Sequence, residues 1–233
     1  NFVNGGAGIN ALARLVDARV VVVDMGVAGD CSKLKSLPVA GPAGKAPARR
    51  QAGGADFKFL SKRVGTGTRN MARGPAMTRE EAVRCIEAGI TVIHELNAST
   101  DVFGTGDMGI GNTTPSSAIV AAITKKSVEE VTGRGTGIDD EQFRHKVSVI
   151  KKSLEVNRPD PADALDVLAK VGGFEIGGIA GMILGAAAAK KPILVDGFIS
   201  TAGALIAHSL EPKSADYMVA AHRSVEQGHR MAI

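Results

Sequence analysis

The sequence lacks tryptophan and has one tyrosine and seven phenylalanines among 233 residues. So few rings argue against a binder of single-stranded nucleic acid, which depends on aromatic stacking platforms. They also leave the core to be built from Ala, Val, Ile, Leu and Gly. Cysteine is scarce as well. Cys31 and Cys85 have no metal-ligand spacing, so no metal is expected and a reduced, cytoplasmic setting is the simplest reading. No apolar run reaches the roughly 20 residues that cross a bilayer. The longest, residues 176–184 continued by Gly185 and alanines, reads as a buried core helix. A strong charge imbalance is missing too. The net charge of +4 is explained by a solvated surface more easily than by a nucleic-acid partner. The basic residues nevertheless cluster at Lys33, Lys35, Lys45, Arg49 and Arg50.

What is present is the pattern of an α/β protein. Apolar residues make up 44% of the chain and charged residues 22%, enough to bury a core. Residues 19–25 (RVVVVDM) form a β-branched run of the kind that sheets bury on both faces. Residues 26–57, rich in Gly, Pro, Ala, Lys and Arg, read as a long loop. A helix is predicted over 78–96, with Thr78 as cap and Glu80 and Glu81 in its positive first turn. Further helices are predicted over 8–16, over 115–124 with Thr114 as cap and Pro115 first, and over 140–156 with an apolar stripe at Phe143, Val147, Ile150 and Leu154. Asp160 is expected to cap a helix running to 170, and 174–189 another whose glycines at 177, 181 and 185 admit a close neighbour. Residues 192–196 (PILVD) read as a second buried strand, 201–210 as a helix, 217–220 as a strand, and 224 onward as a final helix. Strands alternating with helices imply a parallel sheet flanked by helices.

The stretch most informative about chemistry is GTGDMGIGNTTP, residues 104–115. Gly104, Gly106 and Gly109 match the dinucleotide fingerprint G-x-G-x-x-G, but the context fails. The preceding strand is very short, no acid closes a second strand about 20 residues later, and Asp107 would repel a pyrophosphate. A NAD-dependent dehydrogenase is therefore disfavoured. A monophosphate fits better. Glycines and a helix N-terminus offer backbone N–H groups to it, with Asn112 and Thr113 as further donors. A carboxylate one ribose away would then face the sugar and steady positive charge as a glycosidic bond breaks. From spacing alone, this reading of Asp107 and a plain loop-capping role are even.

GDMGIGNTTPSSAI, beginning at Gly106, resembles the signature of the nicotinate-nucleotide–dimethylbenzimidazole phosphoribosyltransferases, whose members carry Glu or Asp at the position of Asp107. Other blocks are similar in order and spacing: NFVNGGAGINALAR (1–14), VVVDMGVAGD (21–30), GRGTGIDDEQFRHKVSVI (133–150), DVLAKVGGFEIGGIAGMILGAA (166–187), ILVDGFISTAGAL (193–205) and HRSVEQGHR (222–230). The resemblance implies a Rossmann-like, cytoplasmic, usually homodimeric enzyme without cofactor or metal. It would move the 5-phosphoribosyl group of nicotinate mononucleotide to 5,6-dimethylbenzimidazole, giving α-ribazole 5′-phosphate and nicotinate in cobalamin biosynthesis.

By the same resemblance, phosphate contacts fall on Gly109, Gly135, Lys146, Gly197 and Ser224. Each also has an ordinary reading: Lys146 as a solvated lysine, Gly135 as a loop glycine and Ser224 as a helix cap. Asp196 joins Gly197 at the end of a buried strand, where open α/β sheets place ligands, or else simply caps a helix. Glu175 is expected to cap the glycine-rich helix, His208, His222 and His229 show no metal spacing, and Leu12 and Leu15 are candidate linings of the base pocket. The family's general base, a glutamate in a glycine-rich motif resembling RLGEGSGA, has no counterpart in this sequence. The chain is thus expected to be one α/β domain, 1–233, lacking N- and C-terminal parts of its parent, with a small helical region truncated at both ends. A general base supplies about 10²–10⁴-fold in rate. The alternative function is accordingly a non-catalytic nucleotide-phosphate-binding fragment.

Overall fold

The computed structural model describes residues 6–29, 57–134, 137–222 and 227–232. The chain divides into two compact units, Asn1–Gly67 and Thr68–Ile233.

In the first unit, α1 (Gly8–Leu15) leads to β1 (Val20–Asp24), which pairs in parallel with β2 (Phe57–Ser61), from Val20 opposite Phe57 to Asp24 opposite Ser61. The valine run does form a strand, but only its end residues are fully buried. The sequence reading does not anticipate β2, because it extends the loop to residue 57. Most of that loop, 30–56, lies outside the described residues. Asp24 is buried at the end of β1 and ties the unit together. Its Oδ1 accepts from the amides of Gly26 and Val27 at 2.9 and 3.0 Å, and its Oδ2 faces the Arg63 guanidinium at 2.7 Å.

In the second unit, β3 (Phe103–Gly104), β4 (Ile193–Val195) and β5 (Met218–Ala220) make a parallel sheet in the order β3-β4-β5. Around it come α2 (Arg79–Leu96), α3 (Thr113–Thr124), α4 (Val128–Val131), α5 (Asp140–Asn157), α6 (Ala164–Val171), α7 (Phe174–Ala188), α8 (Gly197–Leu210) and α9 (Gln227–Ala232). Parallel sheets with helices follow from the alternation in the sequence.

The central helix α7 is apolar on every side, as a helix enclosed by neighbours should be. It packs closely on α2. A Cβ at Gly181 would lie 2.0 Å from the Ile86 carbonyl oxygen, and one at Gly89 would lie 2.0 Å from that of Gly178. Only glycines on both sides of the crossing permit this approach.

Helix starts show which local bonds prevailed. Thr78 caps α2 reciprocally with Glu81: the Glu81 amide donates to Thr78 Oγ1 at 3.1 Å and the Thr78 amide to Glu81 Oε2 at 2.7 Å. α3 begins two residues before the expected position, because the Asn112 carbonyl already accepts from Ser116 N at 3.1 Å. Pro115 tolerates this, since a first-turn amide would lack an intrahelical acceptor anyway. α6 is capped by Asp163, which accepts from the amides of Leu165 and Asp166, both at 3.1 Å. Asp160 instead folds a preceding turn by accepting from Ala162 N at 2.9 Å. α8 starts at Gly197, four residues before the expected position. The positive φ of Gly197, 83°, lets the chain turn directly from strand to helix.

Candidate functional site

The parallel pairing of β3 with β4 brings two loops to the same sheet edge. Thr105 N donates to Leu194 O at 2.9 Å, Thr105 Oγ1 to the same oxygen at 3.1 Å, and Asp196 N to Thr105 Oγ1 at 3.4 Å. Loop 105–112 and the Asp196–Gly197 corner therefore both leave the C-terminal end of the strands, where such sheets bind ligands.

Within the loop, Asp107 is exposed and its Oδ1 accepts two bonds, from Gly109 N and from Asn112 Nδ2, each at 2.7 Å. Gly109 and Gly111 bend the loop with φ of 72° and 77°, a region costly for other residues. The Gly109 amide, expected to meet phosphate, is thus engaged by Asp107, so an anion seated there would share or displace that bond. Asn112 is the N-cap residue of α3 yet makes no side-chain capping bond. Its amide nitrogen reaches Asp107 on one side and Glu175 Oε1, at 3.3 Å, on the other. The N-cap side chain thus leaves the first-turn amides of α3, at the positive end of the helix dipole, uncapped.

Beside this helix start lies a cavity of about 310 Å³, lined by Gly109, Gly111, Thr113, Thr114, Arg134 and Lys146 among others. Lys146 projects from α5, and its Nζ donates to Thr113 Oγ1 and to Gly133 O, both at 3.0 Å. Arg134 pairs with Asp140, donates to Ile138 O at 3.0 Å and lies over the Phe143 ring, 5.3 Å from its centre. A helix N-terminus, hydroxyls, a lysine and an arginine converge on one concavity, which is the chemistry of an anion cradle.

Of the residues named from sequence, Gly109, Thr113 and Lys146 line this cavity, and Asp107 and Asn112 join it through the loop. Asp196 and Gly197 stand at the shared sheet edge but not in the cavity lining. Asp196 is the N-cap residue of α8 but makes no side-chain capping bond; its Oδ1 instead contacts His222 Nδ1 at 2.7 Å. Gly135 and Ser224 lie outside the described residues. Leu12 and Leu15 are exposed on α1. Glu175 does not take the expected role. Gly173 holds the N-cap position of α7, and the Glu175 carboxylate reaches Asn112 instead. Burial pushes the Glu175 pKa up; its own backbone amide opposes this, and the Asp107 charge adds to the rise. Sequence reading missed Arg134, whose place in the cavity no spacing signals, and also the Asn112–Glu175 link and the Asp196–His222 contact, which join segments that no local pattern connects. The one available hint was that Glu175 directly follows the tight Gly172–Gly173 pair and Phe174. Among the described residues, no three His, Cys, Asp or Glu gather as a metal-binding group, and no helix is long and apolar enough to cross a membrane.

Comparison with known proteins adds an independent line. A family model described as phosphoribosyltransferase matches residues 1–233. The nicotinate-nucleotide–dimethylbenzimidazole phosphoribosyltransferase of Syntrophotalea carbinolica is 57% identical over 233 residues, covering 100% of this chain and 61% of that protein. That of Desulfotalea psychrophila is 53% identical over 228 residues, covering 98% of this chain and 59% of that protein. The crystal structure of CobT from Thermus thermophilus superposes with a TM-score of 0.84 at 38% identity, covering 100% of this chain and 63% of the other. The chain thus spans about three fifths of the length of the relatives it matches.

Proposed function

This chain belongs to the nicotinate-nucleotide–dimethylbenzimidazole phosphoribosyltransferase family, and from that premise we propose that it carries the ribotide-binding part of such an enzyme. The reaction transfers the 5-phosphoribosyl group of nicotinate mononucleotide to 5,6-dimethylbenzimidazole, giving α-ribazole 5′-phosphate for the nucleotide loop of cobalamin. By the same family resemblance, the enzyme works in the cytoplasm as a homodimer.

The observation that carries the reading is Lys146 Nζ held against Thr113 Oγ1 at the start of α3, with Asp107 on the loop entering the same helix. The 5′-phosphate takes the cavity, where Lys146, Arg134 and the α3 amides supply positive charge, with Gly135 and Ser224 as further contacts. Gly197 and Asp196 approach from the neighbouring corner. The ribose then extends toward Asp107. As the bond from C1′ to the pyridinium nitrogen breaks, its electron pair neutralises that nitrogen and nicotinate departs. Positive charge grows on the sugar, and an aspartate stabilises it. A lone pair of the benzimidazole forms the new C1′–N bond from the opposite face, inverting the anomeric centre, and the base releases its N–H proton to water. The reaction is balanced without a metal or an enzyme nucleophile.

The test is to incubate the full-length protein with nicotinate mononucleotide and a panel of bases, and to identify the riboside by mass. Ribazole phosphate with equimolar nicotinate is expected. Saturable binding of the nucleotide with no base converted would leave only the phosphate-binding reading.

A further inference from the structure

Asn112 occupies the N-cap position of α3, where an asparagine side chain usually accepts from the amides of the first turn. Here it does not. Its Nδ2 donates to Asp107 Oδ1 at 2.7 Å and to Glu175 Oε1 at 3.3 Å. The orientation of the amide is settled by chemistry, since its oxygen would repel the Asp107 carboxylate in the same place. Its own Oδ1 is left buried without a hydrogen-bond partner among the described residues. Such an orphan acceptor carries a desolvation cost that nothing offsets. A purely structural asparagine would avoid that by capping the helix.

The backbone of α7 is shaped around the other end of this link. A Cβ at Gly173 would sit 2.4 Å from Glu175 Oε1 and 2.8 Å from Oε2. The space that any other residue would fill is occupied by the carboxylate. Gly173 has φ −134°, which every residue adopts, so the glycine is explained by that space and not by its conformation.

We propose that Glu175 is a positioning residue for phosphoribosyl transfer: acting through Asn112, it fixes the orientation of the Asp107 carboxylate toward the sugar. This rests on the function proposed above. With Oδ1 occupied by Gly109 and Asn112, Asp107 turns its other oxygen outward from an exposed loop, and no described residue donates to it. Without Glu175, Asn112 loses one of its two anchors and is free to turn back to the α3 amides, which releases Asp107. A glutamine there keeps an acceptor oxygen for Asn112 Nδ2 at nearly the same size. The phosphate cradle of Lys146 and Thr113 uses neither residue. Release of Asp107 therefore weakens the transition state and leaves ground-state nucleotide binding in place.

The experiment uses the full-length protein and measures kcat and KM for nicotinate mononucleotide. Glu175→Ala is expected to lower kcat about 10- to 100-fold, the scale of a mispositioned group, with KM within about threefold. Gly173→Ala, which displaces the carboxylate without removing it, should follow the same pattern. Glu175→Gln should restore most of the rate. In an Asp107→Asn background, adding Glu175→Ala should lower kcat by less than about threefold, since the two act as one unit. An indifferent kcat, a loss confined to KM, or an undiminished loss in the Asp107→Asn background would each overturn the inference. If Glu175→Ala does not fold, as judged by thermal melting, Gly173→Ala decides by the same criteria. Transfer by the unsubstituted protein with an indifferent Glu175→Ala counts against this inference alone. No transfer by the unsubstituted protein overturns both this inference and the function it rests on.

Discussion

Lys146 reaches from the middle of α5 to place its ammonium 3.0 Å from the Thr113 hydroxyl, at the first residue of α3. The two residues are 33 positions apart. Their contact joins a side-chain cation to a fixed helix N-terminus, and an anion between them would feel both.

The first prediction follows from that pair. Lys146→Ala should weaken binding of nicotinate mononucleotide about 10- to 150-fold, matching the roughly 1.5–3 kcal/mol of a hydrogen bond to a charged group. Binding of nicotinate riboside, which has no phosphate, should change little. Titration calorimetry with both ligands checks this. An equal loss for the two would place Lys146 away from the phosphate.

A second prediction concerns the α2–α7 crossing. Gly181→Ala drives a methyl group against the Ile86 carbonyl and should destabilise the protein by about 3 kcal/mol, at the upper end for overpacking. Gly106→Ala is the control, since a Cβ there meets nothing within 4 Å. Urea denaturation of both variants measures the difference. Comparable midpoints would mean that the helices can separate without loss.

How far the sequence could be read depended on the range of each interaction. Capping at Thr78 and the small residues at 177 and 181 are local signals, and both appear in the structure with the roles they suggested. The helix containing Lys146 was also legible, because Val147 and Ile150 define its buried face. Asn112 reads in the sequence as a phosphate donor, yet its side chain is spent between two carboxylates, and half of that arrangement comes from residue 175. No local pattern reveals a bond across 63 positions. β2 escaped for a related reason. Five residues of mixed character become a strand only when β1 provides a parallel edge, and parallel partners carry no hairpin signal in the sequence. The start of α6 moved because Asp163, and not Asp160, accepts from its first-turn amides.

A third prediction concerns Asp24 in the first unit. Burial alone would raise its pKa, but the Val27 amide, the Arg63 guanidinium and the Gly26 amide outweigh it and hold the carboxyl below its ordinary value. A depressed carboxyl stabilises the fold above its unfolded pKa of about 3.9, and that stability is lost as pH falls through the lower folded value. Asp24→Ala should destabilise this unit by about 2–4 kcal/mol at neutral pH, because it removes the buried ion pair with Arg63 and the acceptor of the Gly26 and Val27 amides. It should also flatten the acid limb of the stability curve. Hydrogen exchange at β1 and β2, followed from pH 7 to pH 3, provides the measurement. Unchanged protection in the variant would show that the ion pair is incidental.

The last prediction concerns His229 on α9, which is fully enclosed. Its Nδ1 lies 3.0 Å from Thr201 Oγ1, its ring stacks on His222 with centres 6.2 Å apart, and its Nε2 has no partner among the described residues. Burial holds its pKa below the ordinary histidine value. The unfolded chain then takes up a proton near pH 6.5 that the folded chain refuses. Stability is therefore complete above that pH and declines as pH falls below it, levelling off once the folded histidine also protonates. Replacing His229 with glutamine, which keeps a hydrogen-bonding side chain but cannot titrate, should remove this decline between pH 7 and pH 5 while leaving the neutral-pH stability lower by about 1–2 kcal/mol. Thermal melting of both proteins across that range separates the two effects. Parallel pH curves would mean that His229 takes up its proton equally readily in the folded and the unfolded chain.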